Sequence, residues 1–229
     1  MGEEKLVKGI RSYFKKSGFK KAVIGLSGGV DSSLSAFLVA KALGASNVLG
    51  LLLPEKGVSS KLGVEHAKQV AEMLGIGYEI IPINEFLVAF DVLEQSKLAE
   101  LNTKARIRAN ILYNYANSHN ALVIGTSNKT ELKLGFFTKH GDGACDLEVI
   151  GSLYKTQVFA MANELGVPEG IISKAPSAEL YKGHTDEKEL GLGYDEIDKM
   201  LMGKKALSAE IKQRIKNNKH KTELVPIIR

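Results

Sequence analysis

The stretch "KAVIGLSGGVDSSLSAFLVAKALG", residues 21–44, runs from a β-branched apolar segment through a Gly-Gly pair into an apolar segment with helical spacing. Its first part reads as a buried strand, 21–27, and its last as a helix, 31–44, stopped by Gly44. Between them Ser27, Gly28, Gly29, Asp31, Ser32 and Ser33 make a strand-to-helix turn. Glycines let the backbone approach a ligand closely, and the N–H groups of a helix's first turn, helped by its dipole, attract an anion. The hydroxyls at 27, 32 and 33 add donors for phosphate oxygens. Two familiar phosphate loops do not fit. No lysine follows the last glycine, as the Walker form requires, and Gly28-Gly29 does not satisfy G-x-G-x-x-G.

Outward from this turn the same alternation repeats. Strands are expected at 47–54, 77–83, 121–127 and 146–153, and helices at 61–75, within 84–118 and at 155–166. Before the first strand, Leu6, Ile10, Tyr13 and Phe14 share one helical face with lysines opposite. Residues 174–190 read as a polar loop, and "YDEIDKML" and "SAEIKQRIKNN" as closing helices. Alternating strands and helices predict an α/β fold: a doubly wound, mostly parallel five-stranded sheet with helices on both faces. Ligands of such sheets sit beyond the carboxyl ends of the strands where strand order reverses. The turns "SGGVDS" and "GTSNKTE" (125–131) are therefore the places to look.

Bulk properties narrow the class. The chain has 229 residues, 44% hydrophobic and 25% charged, which suits one globular unit with a helical tail. A net charge of +5 allows an anionic ligand, but the lysines are scattered apart from "IKQRIKNNKHK" near the end, so charge alone names no partner. A single cysteine, Cys145, excludes an internal disulfide, a zinc ribbon and a CxxC redox pair, and suits a reducing cytoplasm. No apolar run is long enough to span a membrane.

"SGGVDS" in this setting resembles the PP-loop family of ATP pyrophosphatases, with the adenine nucleotide alpha hydrolase-like fold. The resemblance implies cleavage of ATP between its α and β phosphates, with Asp31 helping to hold magnesium. Downstream, "GTSNKTE", "FTKHGDG", "KARIR" and "ELGLGYDEID" together resemble the NAD synthetase family, from about residue 20 to the "HK" at 220–221. That resemblance implies amidation of deamido-NAD to NAD through an adenylated intermediate, with ammonia as nitrogen donor and release of AMP and pyrophosphate.

Carried onto this sequence, the resemblance implies that Ser27, Gly28, Gly29, Asp31, Ser32, Thr126, Lys155 and Ser177 bind ATP. Asp31 and Glu131 would hold Mg2+, with Asp31 and Lys155 as the catalytic pair. Arg106, Lys139, Asp142, Asp146, His220 and Lys221 would bind deamido-NAD. The 139–146 loop carries glycines and reads as mobile, able to close on substrate. Ser177 stands where the family commonly has Thr, and Cys145 where small residues are usual, the latter read as packing. The loop "PEKGVSSK" matches weakly, so no ATP-base contact is assigned there.

One unit is expected over 1–229, with a nucleotide-binding core at about 20–190 and a helical segment at 191–229. About 20 residues precede the first strand, too few for a glutaminase domain, so the implied nitrogen source is free ammonia or ammonia from a separate protein. The family implies a homodimer, and "ANILYNYA" fits either that contact or the core. Neither nucleic acid nor membrane is expected as a partner. The competing reading is another PP-loop enzyme that adenylates tRNA before thiolation; the lone cysteine argues against it, because such enzymes carry paired thiols. A nucleotide sensor without turnover would not need Asp31, Glu131 and Lys155 together.

Overall fold

The computed structural model describes residues 2–177, 181, 183 and 185–228. Five parallel strands form its sheet: β1 Lys21–Gly25, β2 Val48–Leu52, β3 Gly77–Ile80, β4 Ala121–Gly125 and β5 Leu147–Glu148, in the order β3-β2-β1-β4-β5. Chain order reverses between β1 and β4, so the crevice falls at the carboxyl ends of these two strands.

Period-two alternation sends the strands' side chains to two cores. Ala22 and Ile24 of β1 and Leu122 and Ile124 of β4 face α1 (Glu3–Ser17), α2 (Val30–Leu43), α3 (Lys61–Leu74) and α7 (Lys155–Glu164). Val23 and Val123 face the other way, against Ile107, Ile111 and Ala116 of α5 (Lys97–His119), with α4 (Asn84–Val88) beside it. A third cluster joins Leu134 of α6 (Lys129–Leu134) to Leu190 of α9 (Asp186–Leu190), Tyr194, Ile197 and Met200 of α10 (Tyr194–Leu201) and Ile211 of α11 (Ala209–Thr222). The short α8, Glu169–Ile172, follows α7.

Three expectations need correction. The fifth strand is only Leu147–Glu148: Val149, Ile150 and Leu153 are apolar because they fill the core from a turn closed by Leu153 N–H donating to Ile150 O. The stretch 174–190, expected as loop, contains α9, whose Leu190 is buried in the third cluster. On α1, Leu6, Ile10 and Phe14 are buried, but Tyr13 turns outward and donates its hydroxyl to Asp146 O. "ANILYNYA" serves the core through Ala109, Ile111 and Ala116.

Candidate functional site

The turn after β1 is built on Gly28. Its φ is +75°, and a Cβ there would lie 2.0 Å from Gly63 O, so a side chain is barred both by conformation and by the neighbouring α3. Ser27 Oγ and Ser32 Oγ share a hydrogen bond of 3.0 Å, Gly29 N–H donates to Ser27 Oγ, and Ser33 Oγ donates to Gly29 O at 2.8 Å. These bonds shape a loop that leads into α2, and among the described residues no side chain caps that helix. An uncapped helix start at a strand's carboxyl end is a ready anion site.

Asp31, in the first turn of α2, meets residues brought from β4 and beyond. Its Oδ1 accepts from Asn128 Nδ2 at 2.9 Å and its Oδ2 from Lys155 Nζ at 2.5 Å. Lys155 Nζ also stands 3.4 Å from Glu131 Oε1. Asn128 and Glu131 form a capping box at the start of α6: Glu131 N–H donates to Asn128 Oδ1 and Asn128 N–H to Glu131 Oε2. Lys155, the first residue of α7, is 1% exposed and lies 4.9 Å below the Tyr194 ring.

Burial pushes the Glu131 carboxyl up to about 8; Asp31 pushes the same way, and Lys155 opposes. For Lys155, burial works against the charge, but Asp31 and Glu131 outweigh it and raise the ammonium above its ordinary value. Two carboxylates thus share one buried ammonium. Among the described residues no group of three His, Cys, Asp or Glu gathers as a metal cage.

The expected dinucleotide residues gather around the 135–146 loop. Arg106 Nη2 donates to Lys139 O at 3.4 Å, and Lys139 Nζ donates to His220 O at 2.7 Å. Lys221 Nζ donates to Gly135 O and Phe137 O, both at 2.9 Å, and burial lowers its ammonium. Asp142 Oδ1 accepts from Thr138 N–H at 2.9 Å. Asp146 points elsewhere: Oδ2 accepts from Val123 N–H at 2.8 Å and Oδ1 from Tyr113, closing the β4–β5 edge. Thr126 is half-buried in the β4–α6 turn, and Ser177 lies between α8 and α9, just before 178–180, which fall outside the described residues. Hydrogen bonds tie the 135–139 part of the loop to α5 and α11.

Sequence reasoning passed over three residues here. Asn128 was legible as the start of an N-x-x-E capping box. Glu148, whose Oε2 accepts from Ser127 N–H at 3.0 Å and whose carboxyl burial pushes up to about 7, carries no local signal. Nor does Tyr194, whose ring meets Lys155 only through the third core cluster. Cys145 packs beside the second core cluster, as expected, and burial raises its thiol.

A family model described as NAD synthase matches residues 3–227. The NH(3)-dependent NAD(+) synthetase of Archaeoglobus fulgidus is 45% identical, covering 99% of this chain and 95% of the relative. That of Methanocaldococcus jannaschii is 50% identical, covering 86% and 78%. Among solved structures, NMN synthetase from Francisella tularensis superposes with a TM-score of 0.90 at 38% identity, covering 99% of this chain and 96% of that one. NH3-dependent NAD synthetase from Campylobacter jejuni, in complex with the nitrate ion, gives 0.82 at 36% identity over 99% and 97%. With the loop, the paired carboxylates and the buried lysine all at the sheet's switch point, the chain belongs to the NAD synthase family.

Proposed function

We propose that this protein makes NAD from deamido-NAD, using ATP and ammonia and releasing AMP and pyrophosphate. The observation that carries the reading is the Asp31–Lys155–Glu131 constellation beside the uncapped start of α2, in a member of the NAD synthase family. A carboxylate resists amidation until its oxygen becomes a good leaving group. Its oxygen attacks the α-phosphorus of ATP, the bond to the β-phosphate's bridging oxygen breaks, and pyrophosphate departs. Ammonia then adds to the acyl carbon, AMP leaves with the electron pair, and the nitrogen gives up a proton.

In this reading Ser27, Gly28, Gly29 and Ser32 receive the departing pyrophosphate, with Thr126 and Ser177 as further ATP contacts. Lys155 neutralises charge developing on phosphate oxygens from a buried, fixed position. Asp31 and Glu131 suit Mg2+: two carboxylates facing one ammonium lack a positive charge, and magnesium sites use one or two carboxylates plus substrate phosphates. Bound there, the ion would neutralise phosphate oxygens and steady ATP.

Arg106, Lys139, Asp142, His220 and Lys221 form the proposed deamido-NAD site; Asp146 would join it by exchanging the Tyr113 hydroxyl at Oδ1, since Oδ2 is held by Val123 N–H. The proposed working form is a homodimer, supported by exposed Phe86, Val88, Val92, Leu93 and Leu98 around α4 and by the apolar end Leu224, Ile227 and Ile228. Residues 3–227 act as one unit with a helical C-terminal part, using free ammonia or ammonia passed on by another protein. Among the described residues no helix is long and apolar enough to cross a membrane. A single cysteine, Cys145, fits the reducing cytoplasm proposed as its location.

The likeness to the Francisella NMN synthetase favours one second reading, in which the acid substrate is the mononucleotide. The test incubates the protein with ATP, magnesium and either acid, with ammonium or glutamine. Equal yields of NAD, AMP and pyrophosphate from deamido-NAD and ammonium are expected, and higher kcat/KM for the mononucleotide acid would move the substrate. Pyrophosphate without amidation would point to a different acceptor, tRNA among them. No consumption of either acid with either nitrogen source would end the reading.

A further inference from the structure

Asp198 belongs to the "ELGLGYDEID" motif, is 1% exposed, and bonds to the neighbours of Glu131 and Lys155. Its Oδ1 accepts from Thr130 Oγ1 at 2.5 Å, and its Oδ2 from Thr156 N–H and Thr156 Oγ1, each at 2.8 Å. Thr130 Oγ1 in turn accepts from Lys155 N–H at 3.0 Å. One carboxylate therefore ties the residue before Glu131 to the residue after Lys155. Because the Thr130 proton goes to Asp198, its lone pair is aimed at Lys155 N–H. Thr130, Lys155 and Asp198 are all within 1% of full burial, where such a network is stiff.

We infer that Asp198 is a positioning residue for the reaction: it holds the first turns of α6 and α7 in register and so fixes Lys155 Nζ between Asp31 and Glu131. The motif's helix thereby acts on the site twice, through Asp198 beneath the two helix starts and through the Tyr194 ring over Lys155 Nζ. Among the described residues the Asp198 carboxylate bonds to Thr130 and Thr156, not to Asp31, Glu131 or Lys155 Nζ. Its effect is geometric, and small displacements of a group that stabilises a transition state are expensive in rate.

The inference rests on the amidation reading for its rate assay but not for its exchange assay. D198N keeps shape and burial but turns one acceptor into a donor facing Thr130. T130V removes the relaying hydroxyl, and T130S keeps it. D198N and T130V are expected to lower kcat about 10- to 100-fold, with KM for ATP changed less than about threefold. T130S should restore turnover, and the double variant D198N/T130V should be no slower than the slower single, because the two act as one unit. Amide exchange at Lys155 and Thr156 should quicken by about tenfold or more in D198N.

A D198N kcat within about twofold of wild type, with unchanged exchange at these amides, would overturn the inference. So would T130S failing as T130V does, or a rise in KM with kcat intact. If D198N does not fold, the T130V and T130S pair decides the matter. Wild-type inactivity towards deamido-NAD would fell the functional reading alone, leaving amide exchange to decide the role of Asp198.

Discussion

Two lysines are buried between carboxylates at the carboxyl edge of the sheet, and they do different work. Lys155 lies between Asp31 and Glu131, at 2.5 and 3.4 Å; Lys104 lies between Glu55 and Glu100, at 2.8 and 2.9 Å. In formal charge the trios are the same. At Lys104, however, the Glu100 side chain is 40% exposed and meets a second ammonium, Lys97, at 3.0 Å. Hydrogen bonds from Lys104 and Lys97 hold the Glu100 carboxyl below its ordinary range. At Lys155 both carboxylates are mostly enclosed, no second cation arrives among the described residues, and burial pushes Glu131 up to about 8. One cluster is electrically complete and pins α5 to the loop after β2; the other is left wanting a cation beside an open helix start.

That contrast can be broken by substitution. The largest effect is expected from D31N and E131Q, each lowering turnover by roughly 10²–10³-fold, with a melting temperature close to wild type. NAD formation and a thermal melt on the same samples check it; near-normal turnover in either would erase the distinction between the clusters. K155M should cost about 100-fold in kcat and, by leaving two buried carboxylates facing each other, about 3 kcal/mol of stability. Adding E131Q to K155M should recover stability without recovering turnover, which denaturant titration and the rate assay read separately.

K104M is expected to cost about 3 kcal/mol as well, but to leave kcat per folded molecule within about threefold of wild type. A loss of turnover as deep as that of K155M would make the Lys104 cluster part of the chemistry. The smallest effect is on pH dependence. Glu131 binds its proton more tightly folded than unfolded, so its contribution to the metal-free protein is full below its ordinary 4.5 and is lost as pH rises towards about 8. Melting temperature followed over that range in chelator should fall less steeply in E131Q, and equal slopes would mean that Glu131 is not the group titrating.

The local parts of this site were legible in the sequence. Residues 21–44 show strand, turn and helix around "SGGVDS", and Gly28 is glycine for the reason glycines in such turns usually are. The sheet was legible too, because buried strands and amphipathic helices have different periods. Val149 to Leu153 misled because an apolar residue in a buried turn looks like one in a strand. Asp186–Leu190 misled because a five-residue, strongly charged helix has almost no periodicity to read.

By itself the sequence determined the donor types, their order along the chain and the alternation that brings the turns after β1 and β4 to one edge. These follow from local conformational preference and hydrophobic period. Only the tertiary structure decided which lysine is left between under-neutralised carboxylates, that Asp146 faces Val123, and that Asp198 ties two helix starts together. Such outcomes depend on burial and on distances between residues tens of positions apart. Electrostatic strength is set by that enclosure, and no spacing in the chain encodes it.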